Sequence, residues 1–179
     1  MRICVFGASS ENIAESYKSS AYQLGEDLAK AGHSLVFGGG NSGLMGAIAR
    51  GFDAADGYII GIAPELFDTG NILYKLCDEK IITPDMSSRK MKMMELADSF
   101  IALAGGIGTY DELFEVMVDR QLKYHDKPII VYNVNGYYDQ LLAMLDHTVE
   151  EGFMREGSGV LYSVCQSSEE VIKCLEGKL

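Results

Sequence analysis

The 179-residue chain is 47% hydrophobic and 23% charged, enough apolar material for one well-buried core, and no break in composition suggests a second. Residues 1–179 therefore read as one domain. A net charge of −11 and an isoelectric point near 4.6 exclude a broad nucleic-acid or anionic-membrane surface, because either partner would be repelled over most of the molecule, so any phosphate site has to be local.

Cys4, Cys77, Cys165 and Cys174 show no C-x-x-C spacing and no paired histidine pattern, which points to reduced thiols rather than a metal site or a disulfide framework. No apolar run approaches the roughly 20 residues that span a bilayer, and residues 1–7 are too short for a signal segment. The expected location is cytoplasmic.

In chain order, an apolar strand at Ile3–Phe6 runs into Gly7-Ala8-Ser9-Ser10. Ala21, Leu24, Leu28 and Ala31 then recur at near-helical spacing. A second strand, Ser34–Phe37, ends in Gly38-Gly39-Gly40-Asn41-Ser42-Gly43. Further strands are expected at Tyr58–Ile62 and Lys80–Ile82, and Thr83-Pro84-Asp85 begins a helix through Ser87-Ser88-Arg89-Lys90-Met91-Lys92-Met93-Met94. The strand Phe100–Leu103 leads into Gly105-Gly106-Ile107-Gly108-Thr109 and a helix marked by Tyr110, Leu113, Phe114, Met117 and Val118. A strand at Ile129–Tyr132, a helix carrying Tyr138, Leu141, Leu142, Leu145 and Val149, and a strand at Val160–Val164 complete the series. Strands that are apolar throughout, separated by helices, predict a doubly wound, mainly parallel α/β sheet of Rossmann-like type with helices on both faces.

In such sheets ligands bind beyond the carboxyl ends of the strands, where three of these small-residue loops fall. One glycine-rich turn is as well explained by turn geometry as by a ligand. Three at one sheet edge favour a phosphorylated small molecule, approached by backbone N–H groups and a helix N-terminus.

Glu112 has two readings. Thr109-x-x-Glu112 ahead of an apolar helical face is the spacing of a capping box, which on spacing alone is the preferred explanation. A cap needs none of Gly105, Gly106 or Gly108, however, so the glycine context turns the balance toward a carboxylate facing the sugar of a ligand. Asp111 points about 100° away around the helix and forms no acid/base pair with it. Arg89 and Lys90 put positive charge at a helix start, against the macrodipole, which calls for an anion nearby: a phosphate, or a carboxylate such as Glu112. Lys92 reads as a solvated face. His33, His125 and His147 have no nucleophile beside them, and Tyr137 and Tyr138 read as core cover.

Ser88-Arg89-Lys90 with Met94, the GGxGTxxE run from Gly105 to Glu112, His125-Asp126-Lys127-Pro128 and Asn133-Val134-Asn135-Gly136-Tyr137-Tyr138 together resemble the LOG ("lonely guy") family. Those are cytokinin riboside 5′-monophosphate phosphoribohydrolases, often labelled lysine decarboxylases. The resemblance extends upstream through Gly38 to Gly46 and covers about residues 2 to 154. It implies hydrolysis of the N-glycosidic bond of a nucleoside 5′-monophosphate, AMP or an N6-modified AMP, to free base and ribose 5-phosphate, without metal or nicotinamide. It implies Arg89 and Glu112 as the catalytic pair. The substrate-binding set expected around them is Gly7, Ser9, Gly39, Gly40, Gly43, Met45, Lys90, Gly105, Gly106, Gly108 and Thr109. It further implies a homodimer with residues 86–97 and 110–123 near the interface, a surface that Met91, Met93, Met94 and Met117 permit but that could equally be core. One departure is Ala104, where the family usually has proline; losing that fixed φ loosens the loop entrance.

Two rival classes follow from the residues. A nucleotide-binding carrier or sensor on the same scaffold would need no carboxylate beside an anion. A dinucleotide dehydrogenase requires G-x-G-x-x-G after the first strand, which Gly7-Ala8-Ser9-Ser10-Glu11-Asn12 fails. No lysine in a Schiff-base context supports a decarboxylase.

Overall fold

The computed structural model describes residues 1–67, 73–154 and 161–178. Seven parallel strands form one sheet in the order β4-β3-β2-β1-β5-β6-β7: β1 (Arg2–Phe6), β2 (Ser34–Phe37), β3 (Ile59–Pro64), β4 (Glu79–Thr83), β5 (Ser99–Ala102), β6 (Ile129–Tyr132) and β7 (Ser163–Cys165). Each lies within two or three residues of its expected position; Val160, part of the last expected strand, falls outside the described residues. The register sets Ile3, Cys4, Val5 and Phe6 beside Ser99, Phe100, Ile101 and Ala102.

The six helices are α1 (Glu15–Lys30), α2 (Gly43–Ala54), α3 (Met86–Leu96), α4 (Ile107–Gln121), α5 (Asp139–Glu150) and α6 (Ser168–Leu175). Alternation along the strands divides the core in two. Ile3, Val5, Leu35, Phe37 and Ile101 face Leu24, Leu28, Ile48, Phe52 and Val171 of α1, α2 and α6. Cys4, Phe6, Val36, Phe100 and Ala102 face Met93, Leu113, Val116, Met117 and Leu145 of α3, α4 and α5. Both faces are covered, which is why the inner strands carry no polar alternation. The edge strands differ: β4 is exposed at four of its five positions in whole or part, and β7 at Ser163 and Val164.

The periodicity of α1 overran by one residue, since Ala31 is the exposed cap after Lys30. On α3 and α4, Met93 and Met117 are core while Met91 is 58% exposed, so the methionines divide between core and surface. Helix α2, glycine-rich and without an evident polar face, is buried on almost every side. The chain winds outward from β1 through β2 and β3 to β4, then returns to β5 and winds the other way. The order therefore reverses between β1 and β5, and a crevice opens beyond their carboxyl ends.

Candidate active site

The loops after β1, β2 and β5 meet at this crevice. The Ala8 amide donates to the Ala104 carbonyl at 3.0 Å and the Leu44 amide donates to Ala8 at 2.8 Å, tying the three loops together. They wall a cleft of about 690 Å³, a size that suits a mononucleotide.

Of the residues expected there, Gly7, Ser9, Gly40, Met45, Arg89, Lys90, Gly106, Gly108, Thr109 and Glu112 line the cleft. Gly39, Gly43 and Gly105 do not. Gly39 has φ +73° and turns the chain so that its carbonyl accepts from Tyr74 at 2.7 Å. The Gly43 amide, first of α2, donates to the Glu11 carboxylate at 2.9 Å, so the protein itself occupies that helix start. Gly105 lies under the Thr109 side chain, which a Cβ would overlap, and its carbonyl accepts the Tyr137 hydroxyl at 2.6 Å. The glycines that shape the loops are thus distinct from those that face the cleft. Ser10, Gly38, Ser42, Phe67, Leu73 and Met86, none of them among the expected site residues, also line it, as does Asp111, which the sequence weighed only as a partner for Glu112. The serines neighbour expected positions; the apolar group had no local signal, because Phe67, Leu73 and Met86 come from separate segments after β3 and at the start of α3.

The capping-box reading of Thr109 and Glu112 does not hold. The N-cap of α4 is Gly106, with no side-chain cap among the described residues; Thr109 is already inside the helix and buried, and Glu112 lies beyond the first turn. A side-chain cap does form at α6, where Ser167 accepts from the Glu170 amide at 3.2 Å, while the Glu170 carboxylate accepts from the amide of Gln166, just ahead of the cap, at 2.6 Å. Glu112 pairs instead with Arg89. The Arg89 Nη1 donates to Glu112 Oε1 at 2.9 Å, and Nε donates to the Ile62 carbonyl at 3.2 Å. Helix α3 delivers the guanidinium because Asp85 caps it, accepting from the Ser88 amide at 2.7 Å.

The two side chains are only 12% and 13% exposed. Burial pushes the Glu112 carboxyl above its ordinary value, against the pull of Arg89, which lowers it. Lys90 bridges to Asp111 at 3.0 Å and Glu115 at 2.8 Å, and these carboxylates hold its ammonium above the ordinary lysine range. It therefore clamps α3 to α4 at the wall of the cleft. Tyr138 is fully buried with its hydroxyl on the Leu103 carbonyl at 2.6 Å, while Tyr137 is 37% exposed and edge-on to Tyr17. Among the described residues no group of three His, Cys, Asp or Glu side chains is placed to hold a metal, and no helix is long and apolar enough to cross a membrane.

A family model described as a possible lysine decarboxylase matches residues 45–175. A cytokinin riboside 5′-monophosphate phosphoribohydrolase of Arabidopsis thaliana is 41% identical over 175 residues, 98% of this chain and 82% of the relative. The chain belongs to the LOG family. A probable enzyme of the same description from Oryza sativa subsp. japonica is 38% identical across 98% of this chain and 72% of its own length. Among solved structures, the molybdenum cofactor binding protein of Rippkaea orientalis superposes with a TM-score of 0.76 at 26% identity, covering 98% of this chain and 95% of that one. The molybdenum cofactor carrier protein of Chlamydomonas reinhardtii gives 0.75 at 20% identity, covering 99% and 96%, a likeness of fold. This LOG member thus shares its scaffold with carriers and far more of its sequence with hydrolases.

Proposed function

We propose that this LOG protein hydrolyses the N-glycosidic bond of a nucleoside 5′-monophosphate, AMP or an N6-modified AMP of the cytokinin riboside type, releasing base and ribose 5-phosphate. One observation carries the reading: a buried carboxylate held by an arginine shares a cleft with a helix start that, among the described residues, no side chain caps. The 5′-phosphate takes the α4 N-terminus, with the Gly106, Gly108 and Thr109 backbone and Ser9 around it. At α2 the Glu11 carboxylate would repel it. The base lies toward the apolar wall of Phe67, Leu73 and Met86.

As the C1′–N bond breaks, positive charge grows on the sugar, and the ionised Glu112 stabilises it and orients the attacking water. Water supplies hydroxyl to C1′ and a proton to the departing base; the chemistry calls for no metal or redox cofactor. Arg89 keeps Glu112 ionised and aimed. A Schiff-base role for Lys90 fits poorly, since its double ion pair favours the charged amine over the neutral nucleophile.

The same reading takes residues 1–179 as one domain, acting in the cytoplasm as a homodimer. Exposed Met86, Met91, Val118 and Leu122 on α3 and at the end of α4 supply apolar surface for the second copy. The likeness to cofactor carriers favours a second reading, nucleotide binding without turnover. Incubation with AMP and chromatography of adenine separates the two: base release that fails in Glu112→Gln and Arg89→Ala supports the hydrolase, and full turnover in both variants rejects this site.

A further inference from the structure

The Arg89 guanidinium does not reach Glu112 across open space. Its Nη2 end abuts the backbone where β2 ends, at Gly38. A Cβ built on Gly38 would overlap Arg89 Nη2, and would stand 3.1 Å from Cζ and 3.5 Å from Nε. No backbone group is among those atoms; the obstruction would be the tip of one flexible side chain. Gly38 is also absent from the positive-φ glycines, so its conformation is open to alanine. An added methyl can therefore be accommodated by the fold if the guanidinium leaves its seat.

We propose that Gly38 is a positioning residue for the hydrolysis: its missing side chain forms the seat that holds the Arg89 guanidinium on Glu112. The inference rests on the hydrolase reading of the cleft and adds a residue that makes none of the contacts assigned above to the phosphate or the scissile bond. Arg89 is fixed on three sides, by the Ile62 carbonyl at Nε, by Glu112 at Nη1 and by Gly38 against Nη2. A side chain in the third place forces the fork to rotate, and rotation about the guanidinium breaks the other two. Glu112 would then face Lys90 and the buried Cys4 with Asp111 and Glu115 on its own helix, and without its counter-ion.

The test is a double-variant cycle between Gly38→Ala and Arg89→Lys. A lysine ammonium comes no farther than the position of the arginine Cζ, where the new methyl is a tight but tolerable neighbour. In the parent background Gly38→Ala should lower kcat for adenine release by about 30-fold or more and change KM for AMP by less than about three-fold. In the Arg89→Lys background the same change should cost less than about three-fold. Equal losses in both backgrounds, or a parent-background loss below about three-fold, overturn the proposal. A fold too damaged to work loses equally in both and so falls on the overturning side.

A readout independent of turnover keeps this result apart from failure of the hydrolase reading. In ¹³C-detected titration of the Glu112 carboxyl, Gly38→Ala should shift the midpoint upward as Arg89→Ala does. Adding Gly38→Ala to Arg89→Lys should leave the midpoint where Arg89→Lys alone puts it. An unmoved midpoint in the Gly38→Ala single variant overturns the seat whether or not AMP is hydrolysed.

Discussion

Arg89 touches Glu112 at 2.9 Å, yet the Glu112 carboxyl remains above its ordinary pKa because burial outweighs the ion pair. Both side chains line the cleft, and the proposed hydrolysis sets them beside the glycosidic bond. Glu112→Gln keeps the shape and the acceptor but removes the charge that answers an oxocarbenium-like sugar. Loss of about 100-fold or more in kcat for adenine release is expected, with AMP affinity nearly unchanged, by steady-state kinetics and calorimetry.

The same raised pKa sets a pH dependence. If the ionised carboxylate works, kcat/KM should climb through a limb placed above the ordinary carboxylate value of 4.5. Arg89 lowers the Glu112 pKa, so Arg89→Ala should move that limb to higher pH as well as depress the plateau. For stability the sign is reversed. A carboxyl whose folded pKa is raised contributes stability that is complete below its unfolded value and is lost as pH rises through the folded one. Thermal melts from pH 4 upward should therefore show a fall in stability that Glu112→Gln abolishes.

Lys90 ties α3 to α4 through Asp111 and Glu115, and its ammonium is only partly screened at 20% exposure. Lys90→Met keeps the aliphatic stem and removes both bridges. Partly exposed pairs of this kind contribute about 1 kcal/mol, a drop of about 2–4 °C in Tm for a chain of this size. Activity should fall less than in Arg89→Ala. A loss as large would place the ammonium on the substrate phosphate instead.

Tyr138→Phe tests the floor of the glycine loop. The hydroxyl donates at 2.6 Å to the Leu103 carbonyl just ahead of Gly105, and both residues are buried. Removing it leaves that carbonyl without its partner at a cost of about 1–3 kcal/mol. Urea unfolding should report the loss, and KM for AMP should rise as the loop relaxes.

How much of this was readable beforehand differs by element. The strands were legible because a sheet covered on both faces demands unbroken apolar runs such as Ile129–Tyr132, a constraint local to each segment. That Arg89 needs an anion was legible too, since positive charge at a helix start asks for an answer; whether a phosphate or Glu112 gives it stayed open in the sequence and is decided by the 2.9 Å pair. Which residue capped α4 was not. Thr109 and Glu112 have the spacing of a box, but Ile107 and Gly108 already adopt helical geometry, and only the chain trace shows that the helix begins there. The three glycines after β2 look alike in sequence; their separate tasks depend on Tyr74 and Arg89, which arrive from later in the chain.

Ala104 offers the last test, because LOG relatives usually carry proline there. Among the described residues its amide donates no hydrogen bond, while its carbonyl accepts from Ala8 at 3.0 Å, so a proline ring would remove no donor that the loop uses. It would narrow the unfolded ensemble and hold φ at the entrance to Gly105-Gly106. Ala104→Pro is expected to stabilise by about 0.4–1 kcal/mol, a rise of about 1–4 °C in Tm, and to lower KM for AMP modestly. A fall in Tm would mean that the backbone here has moved away from the family's conformation, and that the loop is shaped around alanine.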